Sequence, residues 1–399
     1  MKIFVLVSRV PYPLEKGDKL RAYHQVRELS KEHDIHLCCI SDGKPHPKAI
    51  EELKKIAAEV SIVQLKKSMI YLRLFRALFS DKPFQVHYFL QEQAKRKIQA
   101  LIKDYKPDHI YCQLIRTAEY VNMNFDVPKT IDYMDTFSIG AERRRENAPF
   151  WLKPLLRIEA QRLTKYENLS FELFDHHTII SQQDQQLFYH PKRSKIEIVP
   201  NGVDTQFFDR KALEVKEIDS EEGLKLLFTG NMSYPPNVDC AKFLANQVLP
   251  LVLQRYPKVH LLLSGANPHQ QVKELRSQHV HVSGWIDDIR EAYASATIFV
   301  APMRIGTGLQ NKLLEAMSME LPCITSTLAN NALAAKIGEE ILIGNDANEV
   351  AEAVFELIEH PELRAKLSVA GRDFVVNQYT WESSGTKLSK IMSEKAENR

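Results

Sequence analysis

The chain has 399 residues, 44% of them hydrophobic and 26% charged, which is enough to bury the cores of two domains. Its net charge of +2 does not by itself indicate nucleic-acid binding, and we expect none; no apolar stretch reaches the length of a membrane-spanning helix. The five cysteines lack metal-type spacing and are interpreted as core residues in a reducing compartment. Residues 1–8 are too short for a signal peptide, so we expect a cytoplasmic protein.

Short apolar runs alternate with amphipathic segments in the first half of the chain. The predicted strands are Ile3–Val7, Ile35–Ile40, Val60–Leu65, His109–Cys112, Thr130–Tyr133, His177–Ile180 and Ile196–Val199. The predicted helices include Leu20–Ser30 and Gln91–Lys103. This alternation is typical of a parallel sheet that is covered by helices on both faces. A charged stretch without an apolar period, Asp209–Gly223, then predicts a linker.

The alternation of strands and helices restarts after this linker. The predicted strands are Leu224–Thr229, Val259–Ser264, Val280–Ser283, Ile298–Pro302, Pro322–Thr325 and Glu340–Ile343. The predicted helices include Asp239–Gln254, Gln310–Met319 and Ala347–His360. The sequence therefore predicts two doubly wound, Rossmann-like α/β domains. Open parallel sheets bind ligands beyond the carboxyl ends of their strands, so we expect one ligand on each domain and a reaction in the cleft between them.

The most informative segment is residues 300–317, which has the pattern strand, glycine loop, helix. Gly306 and Gly308 allow the backbone to approach a ligand closely. The helix that follows presents free N–H groups and a positive dipole end, which suit a diphosphate. Arg304 and Lys312 add positive charge on either side of this loop.

Helical spacing places Gly308, Lys312 and Glu315 on one face, while Leu313, Leu314 and Met317 point elsewhere, into the core. A carboxylate one turn beyond a phosphate site can accept hydrogen bonds from two ribose hydroxyls. The alternative is that Glu315 is a solvated carboxylate paired with Lys312, because single loop-and-helix motifs give false positives.

This segment resembles the donor site of the retaining group 1 glycosyltransferases (family 4), which have the two-domain GT-B fold. Residues 199–204, Val-Pro-Asn-Gly-Val-Asp, resemble the junction before the second domain of that family. Residues 283–286 resemble the turn that places backbone groups against the nucleobase. Residues 374–381, followed by a last helix, resemble the segment that crosses back to the first domain.

The resemblance implies a division into an acceptor domain (1–205), a donor domain (206–376) and a C-terminal helix (377–399) that packs on the first domain. It implies a nucleotide-sugar donor and a saccharide or lipid-linked acceptor. The implied donor-binding residues are Gly17, Gly230, Asn231, Gly284, Trp285, Ile286, Gly306, Thr307, Gly308, Leu309 and Glu315. The implied catalytic residues are Arg304, Lys312, Asp132 and Asp135.

Two regions of the first domain resemble a narrower subgroup, the group 1 transferases associated with exopolysaccharide and exosortase gene clusters. They are residues 10–24, with Val-Pro-Tyr-Pro and Gly-Asp-Lys-Leu-Arg, and residues 131–145, with Ile-Asp-Tyr-Met-Asp-Thr and Glu-Arg-Arg-Arg. A third region, residues 229–239, fits the same subgroup. This resemblance implies a role in surface polysaccharide biosynthesis.

The sequence departs from the family pattern at two places. Many relatives carry two glutamates separated by seven residues; Glu315 matches the second, but Thr307 stands where the first would contact the donor sugar. Asn231 and Asn237 stand where relatives place an arginine and a lysine against the diphosphate. We expect Arg304 and Lys312 to supply that charge, and the competing interpretation is an inactive homologue.

Three residues of the first half are further candidates. Asp132 and Asp135 follow an apolar strand and are predicted to point into the cleft, where either binds the acceptor or acts as a base. The alternative for both is a helix cap or a turn carboxylate. Gly17 lies in the first strand-to-helix loop, either for close approach to the ligand or as an ordinary loop glycine.

Two basic, apolar stretches, residues 66–79 and 143–165, can form amphipathic helices that lie on the inner, anionic face of a membrane. The alternative is a pair of ordinary helices packed on the sheet with a solvated charged face.

Two other functions compete with sugar transfer: a sugar-nucleotide epimerase or hydrolase of the same fold, and a non-catalytic nucleotide-sugar-binding protein. A dehydrogenase is disfavoured because no GxGxxG follows the first strand. We expect no metal and no other cofactor, since no aspartate pair lies in a diphosphate–metal context.

Overall fold

The computed structural model describes residues 1–122, 125–146, 148–213, 223–305 and 308–394. It divides into two compact units: unit 1 is Met1–Pro200 with the segment that begins at Trp381, and unit 2 is Asn201–Thr380. Each unit contains one parallel sheet with helices packed against it. The prediction of a two-domain α/β fold is therefore confirmed.

Unit 1 contains a seven-stranded sheet within the described residues, in the order β3-β2-β1-β4-β5-β6-β7, with every neighbouring pair parallel. The strands are β1 (Lys2–Val7), β2 (Asp34–Ser41), β3 (Glu59–Gln64), β4 (His109–Gln113), β5 (Lys129–Asp132), β6 (His176–Ile179) and β7 (Glu197–Ile198). The strand order reverses between β1 and β4, so the connections that leave these two strands run to opposite sides. Such a switch point opens a crevice at the carboxyl edge of a sheet.

Both faces of this sheet are covered, because successive side chains of a strand point to opposite faces. Phe4 and Leu6 of β1 belong to one apolar cluster, whereas Ile3, Val5 and Val7 belong to another. Before the second unit begins, the described residues form the α-helices α1 (Gly17–Leu29), α2 (Ala49–Lys54), α3 (Lys67–Ala77), α4 (Phe84–Phe89), α5 (Glu92–Tyr105), α6 (Ala118–Val121), α7 (Phe137–Glu146), α8 (Lys153–Phe171) and α9 (Gln182–Leu187).

Unit 2 contains a six-stranded parallel sheet within the described residues, in the order β10-β9-β8-β11-β12-β13. The strands are β8 (Lys225–Thr229), β9 (His260–Ser264), β10 (Val280–Gly284), β11 (Ile298–Ala301), β12 (Cys323–Thr325) and β13 (Leu342–Ile343). The helices are α10 (Pro235–Phe243), α11 (Leu249–Arg255), α12 (Gln270–Lys273), α13 (Ile289–Ala294), α14 (Asn311–Ser318), α15 (Thr327–Leu333), α16 (Ala347–Glu359) and α17 (Pro361–Gln378).

The last helix, α18 (Trp381–Ser393), belongs to unit 1 and packs against α1. The His24 ring stacks on the Trp381 ring, with centroids 4.6 Å apart. At the crossing, a Cβ added to Gly385 would lie 2.3 Å from Cβ of Glu28. Only glycine therefore allows the two helices to approach this closely.

One predicted helix, residues 239–254, is interrupted. The structure has α10, then a π-helical turn at Leu244–Val248, then α11. Pro250 is the second residue of α11. A proline lacks the N–H for an ordinary helical bond and its ring crowds the carbonyl one turn earlier, so the turn before it widens.

No helix in the described ranges is long and apolar enough to cross a membrane.

Candidate functional site

Three glycines lie where β8, β9 and β10 end, and they bring the backbones of these strands together. Gly230 N–H donates to the carbonyl of Ser264 at 3.0 Å, and Gly265 N–H donates to the carbonyl of Gly284 at 3.1 Å. All three glycines have positive φ: +152° at Gly230, +142° at Gly265 and +79° at Gly284. A Cβ on Gly265 would lie 1.9 Å from the Gly230 carbonyl oxygen, so the carboxyl edge of this sheet requires glycine.

Lys312 of α14 lies directly beside Gly230. Its Nζ donates to Oδ1 of Asn237 at 2.5 Å and lies 4.5 Å from the Phe228 ring centroid. Asn237 Nδ2 in turn donates to the carbonyl of Asn231 at 2.9 Å, which fixes the orientation of the amide. A Cβ on Gly230 would lie 3.2 Å from Nζ and 2.7 Å from Asn237 Nδ2. A larger residue at position 230 would therefore force Asn237 to move, and with it the amide that orients the lysine.

The surroundings of Lys312 disfavour the protonated, charged form of its side chain. Burial lowers its pKa to about 8, although Cys240 and Glu315 oppose this shift. Burial disfavours an ammonium ion unless an anion compensates it. A lysine in this condition gains more from an arriving anion than a fully hydrated lysine would.

Glu315, one turn along α14, is held by a tyrosine. The Tyr293 hydroxyl donates to Glu315 Oε2 at 2.7 Å and also lies 2.8 Å from the Thr229 hydroxyl. Burial raises the pKa of Glu315, and the Tyr293 hydrogen bond and the charge of Lys312 oppose this shift. In the part of the chain that the structure describes, Oε1 of Glu315 has no hydrogen-bond partner.

The other side of α14 lies in the core of unit 2. Leu313, Leu314 and Met317 are fully buried, as the helical spacing predicted. The helix begins at Asn311, whose Oδ1 accepts a hydrogen bond from Asn201 Nδ2 at 3.1 Å. Asn201 belongs to the segment 199–204, which resembles the family's junction between the domains, so this segment contacts the first residue of α14.

The loop before α14 is described only in part. Gly306 and Thr307 lie outside the described residues. Gly308 has a φ of +90°, which favours glycine, and its carbonyl accepts a hydrogen bond from Gln310 Nε2 at 3.2 Å. Leu309 packs partly against the core of unit 2.

Arg304 is bound to α10. Its Nη2 and Nε contact Oδ1 and Oδ2 of Asp239 at 2.7 and 3.1 Å, and its guanidinium lies 4.5 Å from the Phe243 ring centroid. A two-pronged pair of this kind fixes the arginine and offsets its charge. Arg304 therefore brings less uncompensated positive charge than Lys312 does.

The turn after β10 carries the residues predicted to face a nucleobase. Trp285 is 67% exposed, and its Nε1 donates to Asp287 Oδ1 at 2.9 Å. Ile286 lines an open cavity of about 630 Å³ together with Ser283, Val282 and Ala292. The lining mixes apolar side chains with polar and charged ones such as Arg276 and Glu291, a common composition of ligand pockets.

Asp132 does not occupy the position predicted for it. Its carboxylate is fully buried and accepts two hydrogen bonds from Arg21, from Nε at 2.6 Å and from Nη2 at 2.9 Å. The Arg21 side chain is equally buried. The hydroxyls of Thr178 and Tyr111 also donate hydrogen bonds to this carboxylate, at 3.0 and 3.2 Å. A carboxylate that neutralises a buried arginine in this way has a structural role. This corrects the expectation that Asp132 points into a cleft.

Asp135, three residues later, is exposed. Protein packed around its carboxyl group raises its pKa to about 7, and the charge of Asp184 adds to this effect, while Arg116 and Arg144 oppose it. An accessible carboxyl can still lose much of its hydration when protein surrounds it on most sides. A group that titrates near neutral pH can accept or donate a proton in a reaction.

Gly17 begins α1 and is exposed. A Cβ at this position would meet no atom within 4 Å. The fold does not require glycine here, so its predicted approach to a ligand stays a prediction.

Comparison with known proteins adds to this geometry. Residues 223–360 match the family model described as "Glycosyl transferases group 1". Over 369 residues the chain is 23% identical to an "Uncharacterized 44.6 kDa protein in cps region" of Klebsiella pneumoniae, covering 86% of this chain and 88% of that protein. Over 217 residues it is 27% identical to a Corynebacterium glutamicum enzyme, a "GDP-mannose-dependent monoacylated alpha-(1-6)-phosphatidylinositol monomannoside mannosyltransferase". That alignment covers 49% of this chain and 55% of the mannosyltransferase, about half of its length.

The fold comparison extends over both units. The crystal structure of Anabaena HepE in complex with UDP matches with a TM-score of 0.71 at 14% identity, covering 98% of this chain and 100% of HepE. The chain is a glycosyltransferase of the GT-B fold. The matched family segment includes the strand ends at Gly230, Gly265 and Gly284 and the whole of α14.

Several residues of this glycosyltransferase site were not predicted from the sequence. Gly265, Tyr293 and Thr229 were missed, and Asn237 was recognised only as a departure from the family pattern. Only the presence of a glycine directly after a predicted strand could have indicated Gly265. Nothing in the spacing indicates Tyr293, because its contact with Glu315 depends on tertiary packing.

Proposed function

We propose that this glycosyltransferase moves a sugar from a nucleotide-sugar donor to a saccharide or lipid-linked acceptor in surface polysaccharide or glycolipid biosynthesis. One of the solved structures with this fold is HepE in complex with UDP, and one relative, from Corynebacterium, is named as GDP-mannose-dependent. The resemblance to the exopolysaccharide-associated subgroup and the cps-region relative from Klebsiella support a surface polysaccharide role.

The observation that carries the proposal is the Lys312–Asn237 contact beside Gly230. It puts a half-buried ammonium group at the carboxyl edge of the unit 2 sheet, on the first turn of α14. The leaving diphosphate gains negative charge as the bond to the sugar breaks. An oriented cation and the free N–H groups of a helix N-terminus stabilise that charge without reorganisation.

Glu315 is the proposed ribose-binding residue. Tyr293 holds Oε2, and Oε1 is the oxygen that can accept hydrogen bonds from ribose hydroxyls. The nucleobase is proposed to contact the turn of Gly284, Trp285 and Ile286.

Arg304 has a secondary role in this proposal. Its pair with Asp239 occupies two of its donors, so it contributes less to the diphosphate than Lys312. Gly306, Thr307, Gly308 and Leu309 are proposed to line the phosphate side of the donor.

The transfer is proposed to retain the configuration of the donor sugar. The acceptor hydroxyl then approaches on the side of the leaving group, where a phosphate oxygen can take its proton. Asp135, the exposed carboxyl with a pKa near 7, is proposed to bind the acceptor hydroxyl in unit 1. No metal is required in this proposal, so activity should survive treatment with a chelator.

Contact with an anionic membrane is proposed for the surface of α3 and α8. Phe75 and Phe79 are 62% and 82% exposed, and Phe150 and Trp151 are 85% and 68% exposed. Phe75 lies in α3 and Phe79 just beyond its end, whereas Phe150 and Trp151 directly precede α8. The two helices meet where a guanidinium N–H of Arg162 in α8 donates to the carbonyl of the last residue of α3 at 2.7 Å. Exposed aromatic residues of this density, with lysines and arginines beside them, favour a lipid surface.

Flotation with anionic vesicles tests the membrane contact. Binding should weaken with salt, and the Phe75→Ser/Phe79→Ser variant should lose most of it, whereas Tyr189→Ser, a change at an aromatic residue of unit 1 that is 74% exposed, should not. Equal flotation of all three proteins, or none at low salt, would refute the contact.

The transferase proposal is tested with a panel of nucleotide sugars. A true donor should raise the melting temperature by mass action, and NMR of the product should show the same anomeric configuration as the donor. An inverted product would refute retention. The absence of stabilisation by every uridine, guanosine, adenosine and thymidine diphosphosugar would refute the donor site.

A further inference from the structure

The turn that follows β4 holds Arg116 at the carboxyl edge of the unit 1 sheet. β4 ends at Gln113, and Leu114 adopts a φ of +68°, a conformation that residues other than glycine rarely adopt. The Thr117 hydroxyl donates to the carbonyls of Leu114 and Gln113 at 2.8 and 3.2 Å, which closes the turn. Arg116 therefore follows a constrained backbone, next to the point where the strand order reverses. Constrained residues of this kind concentrate at functional sites.

The guanidinium group of Arg116 is fixed entirely by uncharged groups. It lies 5.2 Å from the Phe89 ring centroid and 5.0 Å from that of Phe137. Its Nε and Nη2 both donate to the single oxygen Oε1 of Gln85, at 3.2 and 2.7 Å. Its Nη1 is buried and has no hydrogen-bond acceptor among the described residues. Stacking and one amide thus orient the arginine and leave part of its donor fork unused.

The charges around Arg116 favour an anion. Burial and the positive charge of Arg9 lower its pKa to about 10, and Arg144 adds to this, while Asp18 and Asp135 oppose it. The group stays protonated at neutral pH. Asp18 is already paired with Arg9 at 2.6 Å. Three arginines, at positions 9, 116 and 144, therefore face two carboxylates, those of Asp18 and Asp135. The side-chain partner of Arg116 is the neutral amide of Gln85.

We propose that Arg116 binds an anionic group of the acceptor, a phosphate or a carboxylate, at the carboxyl edge of the unit 1 sheet. The inference rests on the proposed function, because it assigns this anion to the acceptor of sugar transfer. A guanidinium fork matches both groups, with two parallel N–H···O bonds. A neutral hydroxyl can also accept a hydrogen bond from Nη1, but only an anion offsets the charge of Arg116 as well, so the arrangement favours acceptors that carry an anion.

Calorimetric titration of inorganic phosphate and of glucuronate into the full chain tests the proposal. Arg116→Met should weaken binding of one of the two anions by about 10- to 100-fold, and Arg116→Lys should weaken it less. The anion that responds identifies the class of acceptor. Arg255→Met is the matched control, because Arg255 also lies over aromatic rings, those of Tyr256 and Phe355 at 5.8 and 5.0 Å. Each titration is repeated with Lys312→Met, which removes phosphate binding at the donor site.

Unchanged affinity for both anions in a folded Arg116→Met protein would overturn the proposal. If that variant does not fold, Arg116→Lys decides, and affinities equal to those of the wild type would again overturn it. Binding of a nucleoside diphosphate separates this proposal from the donor site: Arg116→Met should leave it unchanged, whereas Lys312→Met should weaken it. Nucleotide binding that is insensitive to Lys312→Met would contradict the proposed function while leaving an Arg116 effect intact.

Discussion

Replacing Asp132 by asparagine should destabilise unit 1 and should not act on catalysis specifically. Its carboxylate receives Arg21 at 2.6 and 2.9 Å, Thr178 at 3.0 Å and Tyr111 at 3.2 Å, with both charged side chains fully buried. Removing one partner leaves a buried charge uncompensated, which costs about 3–5 kcal/mol. We expect a loss near 3 kcal/mol for Asp132→Asn, which keeps one oxygen, and a larger loss for Asp132→Ala.

Urea unfolding followed by tryptophan fluorescence measures this loss in unit 1 alone. Trp381 is 3% exposed and belongs to unit 1, so a protein with Trp151 and Trp285 replaced by phenylalanine reports on that unit. Asp135→Asn is the matched control, because Asp135 is exposed and three residues away, and it should change stability by less than about 1 kcal/mol.

The result that would refute this reasoning is an Asp132→Asn protein with unchanged unfolding but turnover reduced by 100-fold or more. A second check uses Arg21→Met/Asp132→Leu, which removes both charges. This double variant should recover part of the lost stability, because no isolated charge remains in the core.

Three further predictions concern titration and hydrogen bonding at the site. Because the Lys312 pKa is about 8, the protonated form that binds a diphosphate is depleted above that pH; nucleotide affinity should fall as pH rises through 8 and stay level in Lys312→Arg. Tyr293→Phe should lower the free energy of unfolding by about 1–3 kcal/mol in urea, because Thr229 and Glu315 lose a shared partner. The Asp135 pKa of about 7 predicts that kcat/KM for the acceptor rises with pH through 7, and this rise should vanish in Asp135→Asn.

Each of these predictions has an outcome that contradicts it. If the nucleotide affinity of the wild type did not change with pH, the proposed contact between Lys312 and the diphosphate would be contradicted. A Tyr293→Phe protein as stable as the wild type would mean that the hydroxyl contributes nothing to the site. Retention of the same rise in activity by Asp135→Asn would assign that titration to another group.

The local features of the donor region could be predicted from the sequence because they depend on neighbours along the chain. Helical spacing places Lys312 and Glu315 on one face of α14 and Leu313 in the core. The alternation of apolar strands and helices likewise predicts two parallel sheets, since both faces of each sheet are covered.

The partners of the charged residues could not be predicted, because they lie far away along the chain. Asn237 is 75 residues from Lys312, and Asp132 is 111 residues from Arg21. These pairs form only after the strand order is set, and that order is not encoded in the periodicity of any one segment. The same limit explains why Asp132 resembled a site residue: an aspartate at a strand end can face the ligand or a buried arginine.

The central claim is that Lys312, oriented by Asn237, holds the diphosphate of the donor. The most direct test is the dissociation constant of the nucleoside diphosphate for wild type, Lys312→Met and Lys336→Met, where Lys336 is a solvent-exposed lysine of unit 2. The account predicts that Lys312→Met weakens binding by about 10- to 100-fold and that Lys336→Met has no effect. Equal dissociation constants for all three proteins would contradict it.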